Sequence, residues 1–159
     1  MNALDSIKRD EGFMAEPYYC TANKKTIGYG RNLDDNPLTN QEKEDLRISV
    51  GLPKGVERDF NQLPLSVKEA EYLLKNDLNG VLKQVLKLDY YAELNPARRA
   101  VIINMVFNLG ICRFKKFLNM NDALNKKDYE LAAAEMLDSR WSKQVGARAT
   151  RLSDQMRAG

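Results

Sequence analysis

The stretch from Ala97 to Gly110, ARRAVIINMVFNLG, most constrains the fold of this chain. After its arginines it is apolar on nearly every face, and a helix of that kind is buried among other elements. Gly110 is the residue type that commonly ends a helix. The chain continues in a helical pattern from Pro96 to its end, with one or two further helices predicted within residues 119–145. The pattern predicts a compact bundle of short helices around a central one.

The N-terminal part of the chain has a different composition. Residues 2–11 read as a short helix, and Gly12 is a typical residue to end it. Residues 18–33 mix Tyr, Thr and Ile with Gly and Asn, which is typical of a β hairpin or a small meander. We therefore expect a small β-containing region near the N-terminus.

Two capping boxes mark the starts of further helices. Thr39 is followed three residues later by Glu42, and Ser66 by Glu69. The first box should open a helix of about ten residues that ends near Val50. The second opens an amphipathic helix of about 20 residues, long enough to connect two lobes.

These elements predict an α+β fold that is mainly α. We expect one domain, residues 1–159, with a small β-containing lobe at 12–64 and a connecting helix at 65–88. Residues 89–159, joined by the helix at 2–11, should form a larger helical lobe. A cleft between such lobes is the natural place for a functional site.

Composition excludes several classes of protein. With 159 residues, of which 43% are hydrophobic, the chain can build a core. No apolar run approaches the roughly 20 residues of a membrane-spanning helix, and the first residues lack the apolar segment of a secretory signal. We therefore expect no stable membrane insertion and no signal peptide, and the two cysteines are expected to be reduced.

The chain has no histidine, which excludes a Ser-His-Asp or Cys-His triad and the usual zinc ligand. Proton transfer would have to use Asp, Glu, Cys, Tyr or Lys. The net charge is +3, with an acidic first half and a basic second half. A basic half indicates an anionic partner, such as nucleic acid, a membrane surface or an anionic polymer, or simply a solvated surface.

Three candidate catalytic residues lie close together in the sequence. Glu11 ends the first helix beside Phe13 and Met14, and apolar neighbours disfavour a charged carboxylate, as suits a general acid. Cys20 could act as a nucleophile or as a thiolate base, and the Thr26 hydroxyl could orient a water. Each also has an ordinary explanation, as a solvated glutamate, an incidental small residue and a β-branched strand residue.

The spacing Glu-x8-Cys-x5-Thr, followed by Ile-Gly-Tyr-Gly, resembles that of the phage-type lysozymes, the endolysins of tailed bacteriophages (glycoside hydrolase family 24). Two later segments are similar to segments of the same family. RRAVIINMVFNLG, at 98–110, resembles its buried central helix, and SRWSKQVGARATR, at 139–151, resembles its late Ser-Arg-Trp segment. The resemblance extends in the same order over about residues 2–152.

The resemblance implies a two-lobed lysozyme-like fold and a muramidase. Such an enzyme hydrolyses the β-1,4 bond between N-acetylmuramic acid and N-acetylglucosamine in bacterial peptidoglycan. In this reading Glu11 is the essential acid, Cys20 the second catalytic group, and Thr26 a residue that holds the attacking water. The implied substrate-binding residues are Leu33, Phe107, Asn108, Arg140 and Trp141, and the supporting residues are Arg148 and Tyr18.

The resemblance also implies how the protein is used. No cofactor and no metal are expected, the partner is peptidoglycan rather than nucleic acid, and the protein is expected to be a monomer. An endolysin of this kind stays in the host cytoplasm until a separate holin-type protein releases it to the cell wall or periplasm.

The chain departs from the family at several positions. Many relatives have Asp where this chain has Cys20, so the thiol could be a base, a nucleophile or an electrostatic stabiliser. Arg31 replaces a histidine that pairs with an aspartate, and we expect an Arg31–Asp77 contact whose charge is fixed at physiological pH. Met120 and Glu135 align with a Ser and an Asn that touch substrate in some relatives, so those contacts are not expected here. Cys112 is expected to be a small buried or half-buried thiol.

Two other functions fit parts of this pattern. A lytic transglycosylase cleaves the same bond by internal attack of the muramic acid 6-hydroxyl and needs the acid but no second catalytic group. A binding protein needs neither the acid nor a second catalytic group. It could be a catalytically inactive wall-binding module or a basic nucleic-acid binder. The presence of Cys20 and Thr26 favours hydrolysis, and the scattered basic residues argue against nucleic acid.

Overall fold

A computed structural model describes residues 2–159 of the chain. Two compact units are formed. One is Glu11–Asp77, and the other is Leu78–Gly159 together with the residues up to Asp10. The described residues are mainly helical and include a three-stranded antiparallel sheet, which confirms the predicted α+β, mainly α class.

The unit Glu11–Asp77 contains the sheet. Helix α1, Ala3–Glu11, ends at Gly12, whose φ of 69° is a conformation that glycine adopts freely. Strands β1 (Met14–Tyr19), β2 (Lys25–Gly28) and β3 (Arg31–Asn32) follow in that order across the sheet. The predicted β region therefore begins earlier than residue 18. The sequence does not reveal the first strand, because Pro17 is an unusual strand residue and the pairing is irregular between Met14 and Tyr18.

Both predicted capping boxes are present. Helix α2 is Asn40–Ser49, and the Thr39 hydroxyl accepts the backbone N–H of Glu42 while the Glu42 carboxylate accepts that of Thr39. Helix α3 is Val67–Val85, and Ser66 and Glu69 exchange the same two hydrogen bonds. The 19 residues of α3 agree with the predicted length of about 20. Several apolar side chains in the first half of α3 are buried.

The helical unit is built around α4, Pro96–Leu109. The residues from Ala100 to Val106 are buried and Gly110 ends the helix, as the sequence predicts. The side chain of Asn95 caps the start of the helix, which was not predicted. Around it lie a single 3₁₀ turn, Tyr91–Glu93, and five further helices. These are α5 (Ile111–Phe114), α6 (Leu118–Asn125), α7 (Tyr129–Leu137), α8 (Arg140–Val145) and α9 (Ala147–Ala158).

Two expectations for this unit were wrong. Residues 119–145 hold three helices rather than one or two, because the side chains of Asp128 and Ser139 each cap a new helix start. Cys112 is exposed rather than buried, since α5 is a single turn at the surface. Both cysteines are free thiols. No helix within residues 2–159 is both long enough and apolar enough to cross a membrane.

Candidate active site

Glu11 is the last residue of α1, and its half-buried side chain lies against the turn between β2 and β3. A Cβ placed on Gly30 would lie 2.7 Å from Glu11 Oε2 and 3.1 Å from Cδ. Gly30 also has a φ of 77°, so both its conformation and the space around it suit glycine alone. The turn thus leaves room for the carboxyl group of Glu11 directly against the backbone.

Cys20 lies in the turn between β1 and β2. Its backbone N–H donates to the carbonyl of Lys24 at 3.0 Å, and its carbonyl accepts from Asn23, whose φ of 56° closes the turn. The pKa of the Cys20 thiol is lowered by a hydrogen bond from the Lys24 backbone, and in addition by the amide of Ala22, its own amide and the Thr26 hydroxyl. Burial opposes this effect. The turn therefore favours the thiolate, which is the reactive form of cysteine.

Thr26 is buried in β2, opposite Tyr18 of β1. Its hydroxyl donates to the Lys24 carbonyl at 2.9 Å and also reaches the thiol of Cys20. A hydroxyl has a single hydrogen, so it serves one of these two acceptors at a time. The oxygen of Thr26 still has a lone pair with which to accept a hydrogen bond from water.

Tyr18 connects the two ionisable candidates. Burial raises the pKa of its phenol, and the negative charges of Glu11 and Cys20 raise it further. Both groups therefore lie within electrostatic reach of one tyrosine. Leu33, just after β3, is half-buried, and its backbone N–H donates to the carbonyl of Lys25 at 2.7 Å, which extends the pairing beyond the strand.

A buried ion cluster forms around Arg31, the first residue of β3. The guanidinium of Arg31 lies 3.0 Å from Asp77 Oδ1, which confirms the expected contact, and 2.8 Å from Glu42 Oε2, which the sequence did not reveal. Burial raises the pKa of Asp77 to about 6, against the lowering effect of Arg31. The charge of Arg31 is permanent, and the raised pKa of Asp77 makes its carboxyl group the more pH-sensitive member of the pair.

The helical unit holds the other predicted residues. The indole N–H of Trp141, in α8, donates to Asn108 Oδ1 at 2.8 Å, and the ring meets Phe117 edge-on with 6.4 Å between the ring centroids. Trp141 is buried, Phe107 is half-buried, and Asn108 and Arg140 are exposed.

Beside Trp141 lies a groove of about 820 Å³. It is lined by residues of both charges, with Arg140, Arg113 and Lys116 against Glu135 and Asp138. Met120 also lines it. A groove with an aromatic wall and charged groups of both signs suits a polar ligand.

Arg148 belongs to a buried polar cluster of the same unit. Its Nε donates to Asn104 Oδ1 at 2.9 Å and lies 3.3 Å from Asp10 Oδ2. Asn104 donates in turn to Asp10 at 2.9 Å and to the Ser6 hydroxyl at 2.8 Å, and Arg151 also pairs with Asp10. The cluster ties α1, α4 and α9 together one residue before Glu11.

The structure thus brings four predicted residues together in the unit Glu11–Asp77, namely Glu11, Tyr18, Cys20 and Thr26, with Leu33 on the same sheet. It places Phe107, Asn108, Arg140, Trp141 and Arg148 in the helical unit. Sequence reasoning missed Gly30, Asp10 and Asn104. The Gly-Tyr-Gly run was a signal for a tight turn, whereas nothing in the sequence distinguishes Asp10 or Asn104 from ordinary polar helix residues.

Comparison with known proteins identifies relatives of the chain. The sequence model of the family described as "Phage lysozyme" matches residues 8–158. Two proteins of Dictyostelium discoideum, "Probable T4-type lysozyme 1" and "Probable T4-type lysozyme 2", are 29% and 28% identical to the chain. These matches cover 98% and 93% of this chain, and 93% and 89% of the two relatives.

A third relative is the "Pre-baseplate central spike protein Gp5" of Enterobacteria phage T4, which is 27% identical over 96% of this chain. The chain spans only 27% of the length of that protein. The family match, by contrast, extends over nearly all of this chain, from the end of α1 to the end of α9. The chain therefore belongs to the phage lysozyme family of glycoside hydrolases.

Proposed function

We propose that this protein is a muramidase that hydrolyses the β-1,4 bond between N-acetylmuramic acid and N-acetylglucosamine in bacterial peptidoglycan. One observation carries the proposal. A carboxyl group and a thiol of lowered pKa occur in the same unit, and the negative charges of both raise the pKa of Tyr18. Cleavage of a glycosidic bond needs a group that protonates the leaving oxygen and a group that supplies or directs the nucleophile.

Glu11 is the general acid in this proposal. As the carboxylic acid it donates its proton to the glycosidic oxygen, so that the leaving sugar departs as a neutral alcohol. Gly30 supports this role, because the absence of a side chain there gives the carboxyl group its place against the β2–β3 turn.

Cys20 and Thr26 serve the second half of the reaction. The Cys20 thiolate either takes a proton from water or attacks the sugar carbon itself, and the Thr26 hydroxyl orients the water that completes hydrolysis. The hydrogen bonds that the turn directs at Cys20 support both roles, because each needs the thiolate rather than the thiol.

The groove beside Trp141 and the basic residues at its edge suit the substrate. Peptidoglycan carries peptide carboxylates, which Arg113, Lys116 and Arg140 would attract. We infer that the protein lyses the bacterial host of a phage, after a separate membrane-permeabilising protein has given it access to the wall.

The direct test is Glu11→Gln, which keeps the shape of the side chain and removes its proton. Wall lysis, followed as the loss of turbidity of a peptidoglycan suspension, should fall by about 10²–10⁴-fold. Glu16→Gln is the matched control, because Glu16 is an exposed glutamate in β1, and it should lyse walls at the rate of the unmodified protein. A folded Glu11→Gln variant within a few-fold of that rate would exclude Glu11 as the acid.

A further inference from the structure

The turn between α5 and α6 carries a cluster of positive charges. Residues 94–121 include five basic residues and no acidic one. Two of the five, Arg98 and Arg99, donate hydrogen bonds to backbone carbonyls within the fold. The other three are exposed at the end of α5 and just after it, namely Arg113, Lys115 and Lys116.

These three cations have no carboxylate partner, unlike basic residues elsewhere in the helical unit. Lys126 lies 2.8 Å from Asp122, and Arg157 lies 2.9 Å from Glu130. Within residues 2–159, no ion pair joins any of the three cations of the turn to a carboxylate. The positive charge of the turn is therefore uncompensated, and it would attract an anionic partner.

An exposed leucine lies at the same edge of the unit. Leu118, the first residue of α6, is 74% exposed, the highest value among the exposed large apolar side chains of residues 2–159. Arg113, Lys116 and Leu118 border the same groove. Cations beside an apolar side chain suit the surface of an anionic membrane, where headgroups attract the cations and the acyl boundary accepts the leucine.

The fold holds this turn in a fixed conformation. Phe114 is fully buried, and the side-chain amide of Asn121 donates to the carbonyls of Phe114 at 3.2 Å and Phe117 at 2.9 Å. The ring of Phe117 also packs edge-on against Trp141. Because the backbone of the turn is already ordered, its exposed side chains can bind a partner with little further loss of conformational entropy.

We propose that Arg113, Lys115, Lys116 and Leu118 form a surface that binds anionic phospholipid membranes without inserting a helix. Peptide carboxylates or nucleic acid would also attract the three cations, but neither accounts for the exposed leucine beside them. The inference goes beyond the proposed reaction and uses no catalytic residue. Binding through a few charges and one apolar side chain is reversible and weakens as salt screens the charges.

The test is sedimentation of the full chain with vesicles of phosphatidylglycerol and phosphatidylcholine in equal parts, or of phosphatidylcholine alone. We expect binding to the anionic vesicles only, and its loss at high salt. Lys115→Gln combined with Lys116→Gln should lower the partition coefficient by about 25-fold, at about fivefold for each cation near an anionic surface. Leu118→Ser should lower it by about fivefold or more, because the leucine no longer enters the acyl boundary.

Matched controls come from the same unit. Lys126→Gln combined with Lys127→Gln removes the same charge from lysines that pair with carboxylates. Leu131→Ser removes an exposed leucine that follows the exposed Glu130. Both controls should bind the anionic vesicles within about twofold of the unmodified protein, since binding depends on the α5–α6 turn rather than on net charge alone. Melting curves would verify that each variant is folded.

The inference is overturned if the unmodified protein does not bind the anionic vesicles at low salt, or if the controls lose as much binding as the test variants. Loss of binding by the Lys115 and Lys116 variant with full retention by Leu118→Ser would also contradict it, and would indicate a surface for soluble polyanions such as nucleic acid. None of these measurements involves wall lysis, so failure of this inference is distinguishable from failure of the proposed function.

Discussion

Gly30 is a residue whose identity is set by a neighbouring side chain, that of Glu11. The atom that a Cβ at this position would meet is the far end of the flexible Glu11 side chain, at 2.7 Å. A flexible side chain moves away at little cost in stability, so an added methyl group should displace the carboxyl group rather than unfold the turn. Substitution of Gly30 should therefore reduce the activity of the protein more than its stability.

We predict that Gly30→Ala loses wall-lysis activity by tenfold or more, because displacement of a reacting group by about 1 Å can cost about 10²-fold. Gly51→Ala is the matched control. Gly51 has a φ of 70°, close to that of Gly30, but an added Cβ there meets nothing within 4 Å. Both variants should lose about 1–2 kcal/mol of unfolding free energy through backbone strain. Equal activity of the two variants would show that the contact with Glu11 does not matter.

Cys20 is the candidate catalytic residue whose ionisation depends most on its surroundings, and its turn favours the ionised form. A thiol ionises less readily than an aspartate at neutral pH, but here backbone amides and the Thr26 hydroxyl lower the pKa of the thiol. The compensation is local and should be visible in substitutions of this one side chain.

We predict that Cys20→Asp keeps much of the lysis activity and extends it to lower pH, because an aspartate stays ionised there. Cys20→Ser and Cys20→Ala should be as stable as the unmodified protein but much less active, since neither provides a thiolate. An alkylating reagent should inactivate the unmodified protein and spare Cys20→Asp, in which the exposed Cys112 remains as the internal control. Full activity of both Ser and Ala variants would assign Cys20 a structural role.

At the scale of elements, Arg31 joins β3 to α2 and α3. It is 4% exposed and contacts Glu42 at the start of α2 and Asp77 within α3. The two carboxyl groups respond to the same arginine differently. Burial disfavours the charge of Glu42, but hydrogen bonds from Arg31, Thr39 and Asn76 outweigh it and lower its pKa. For Asp77 burial prevails, and its pKa rises to about 6.

This difference predicts how stability depends on pH. The folded-state pKa of Asp77 lies above its unfolded value near 3.8, so its stabilising contribution is present below pH 4 and is lost as pH rises through 6. The loss is on the order of 2–3 kcal/mol, at about 1.4 kcal/mol per pKa unit. Chemical denaturation from pH 4 to 7 should therefore show the unmodified protein losing stability relative to Asp77→Asn.

Glu42→Gln provides the opposite control. Because the folded-state pKa of Glu42 is lowered, its contribution is present above its unfolded pKa and is lost as pH falls. The difference in unfolding free energy between the unmodified protein and Glu42→Gln should therefore grow, in favour of the unmodified protein, as pH rises. If the stability of the unmodified protein relative to Asp77→Asn also rose from pH 4 to 7, the ion pair with Arg31 would outweigh burial in setting the pKa of Asp77.

Much of this arrangement could be predicted from local sequence. The capping box of Thr39 and Glu42, and the buried α4 with its terminal Gly110, depend on neighbours within one or two turns. The family resemblance likewise rests on short spacings such as that from Glu11 to Cys20. These features need no knowledge of tertiary contacts, and the described residues adopt them as expected.

The remainder depends on contacts between distant parts of the chain. Glu42 was predicted to be a capping residue, but its second role beside Arg31 arises only when β3 packs against α2. Asn104 and Asp10 are 94 residues apart and become partners only in the fold. The first strand was partly missed because Pro17 interrupts its pattern.

At the scale of the whole molecule, the account depends on which product the enzyme forms. Glu11 alone is compatible both with hydrolysis and with internal transfer to the muramic acid 6-hydroxyl. Cys20 and Thr26 distinguish the two reactions, because only hydrolysis needs a group that generates or positions a nucleophile from water.

The most direct measurement is mass spectrometry of peptidoglycan digested in ¹⁸O-labelled water. Hydrolysis predicts new N-acetylmuramic acid reducing ends that contain one added water and carry the ¹⁸O label, and Glu11→Gln should abolish them. Products that end in 1,6-anhydro-muramic acid, lighter by one water and without label, would contradict the account and identify the enzyme as a lytic transglycosylase.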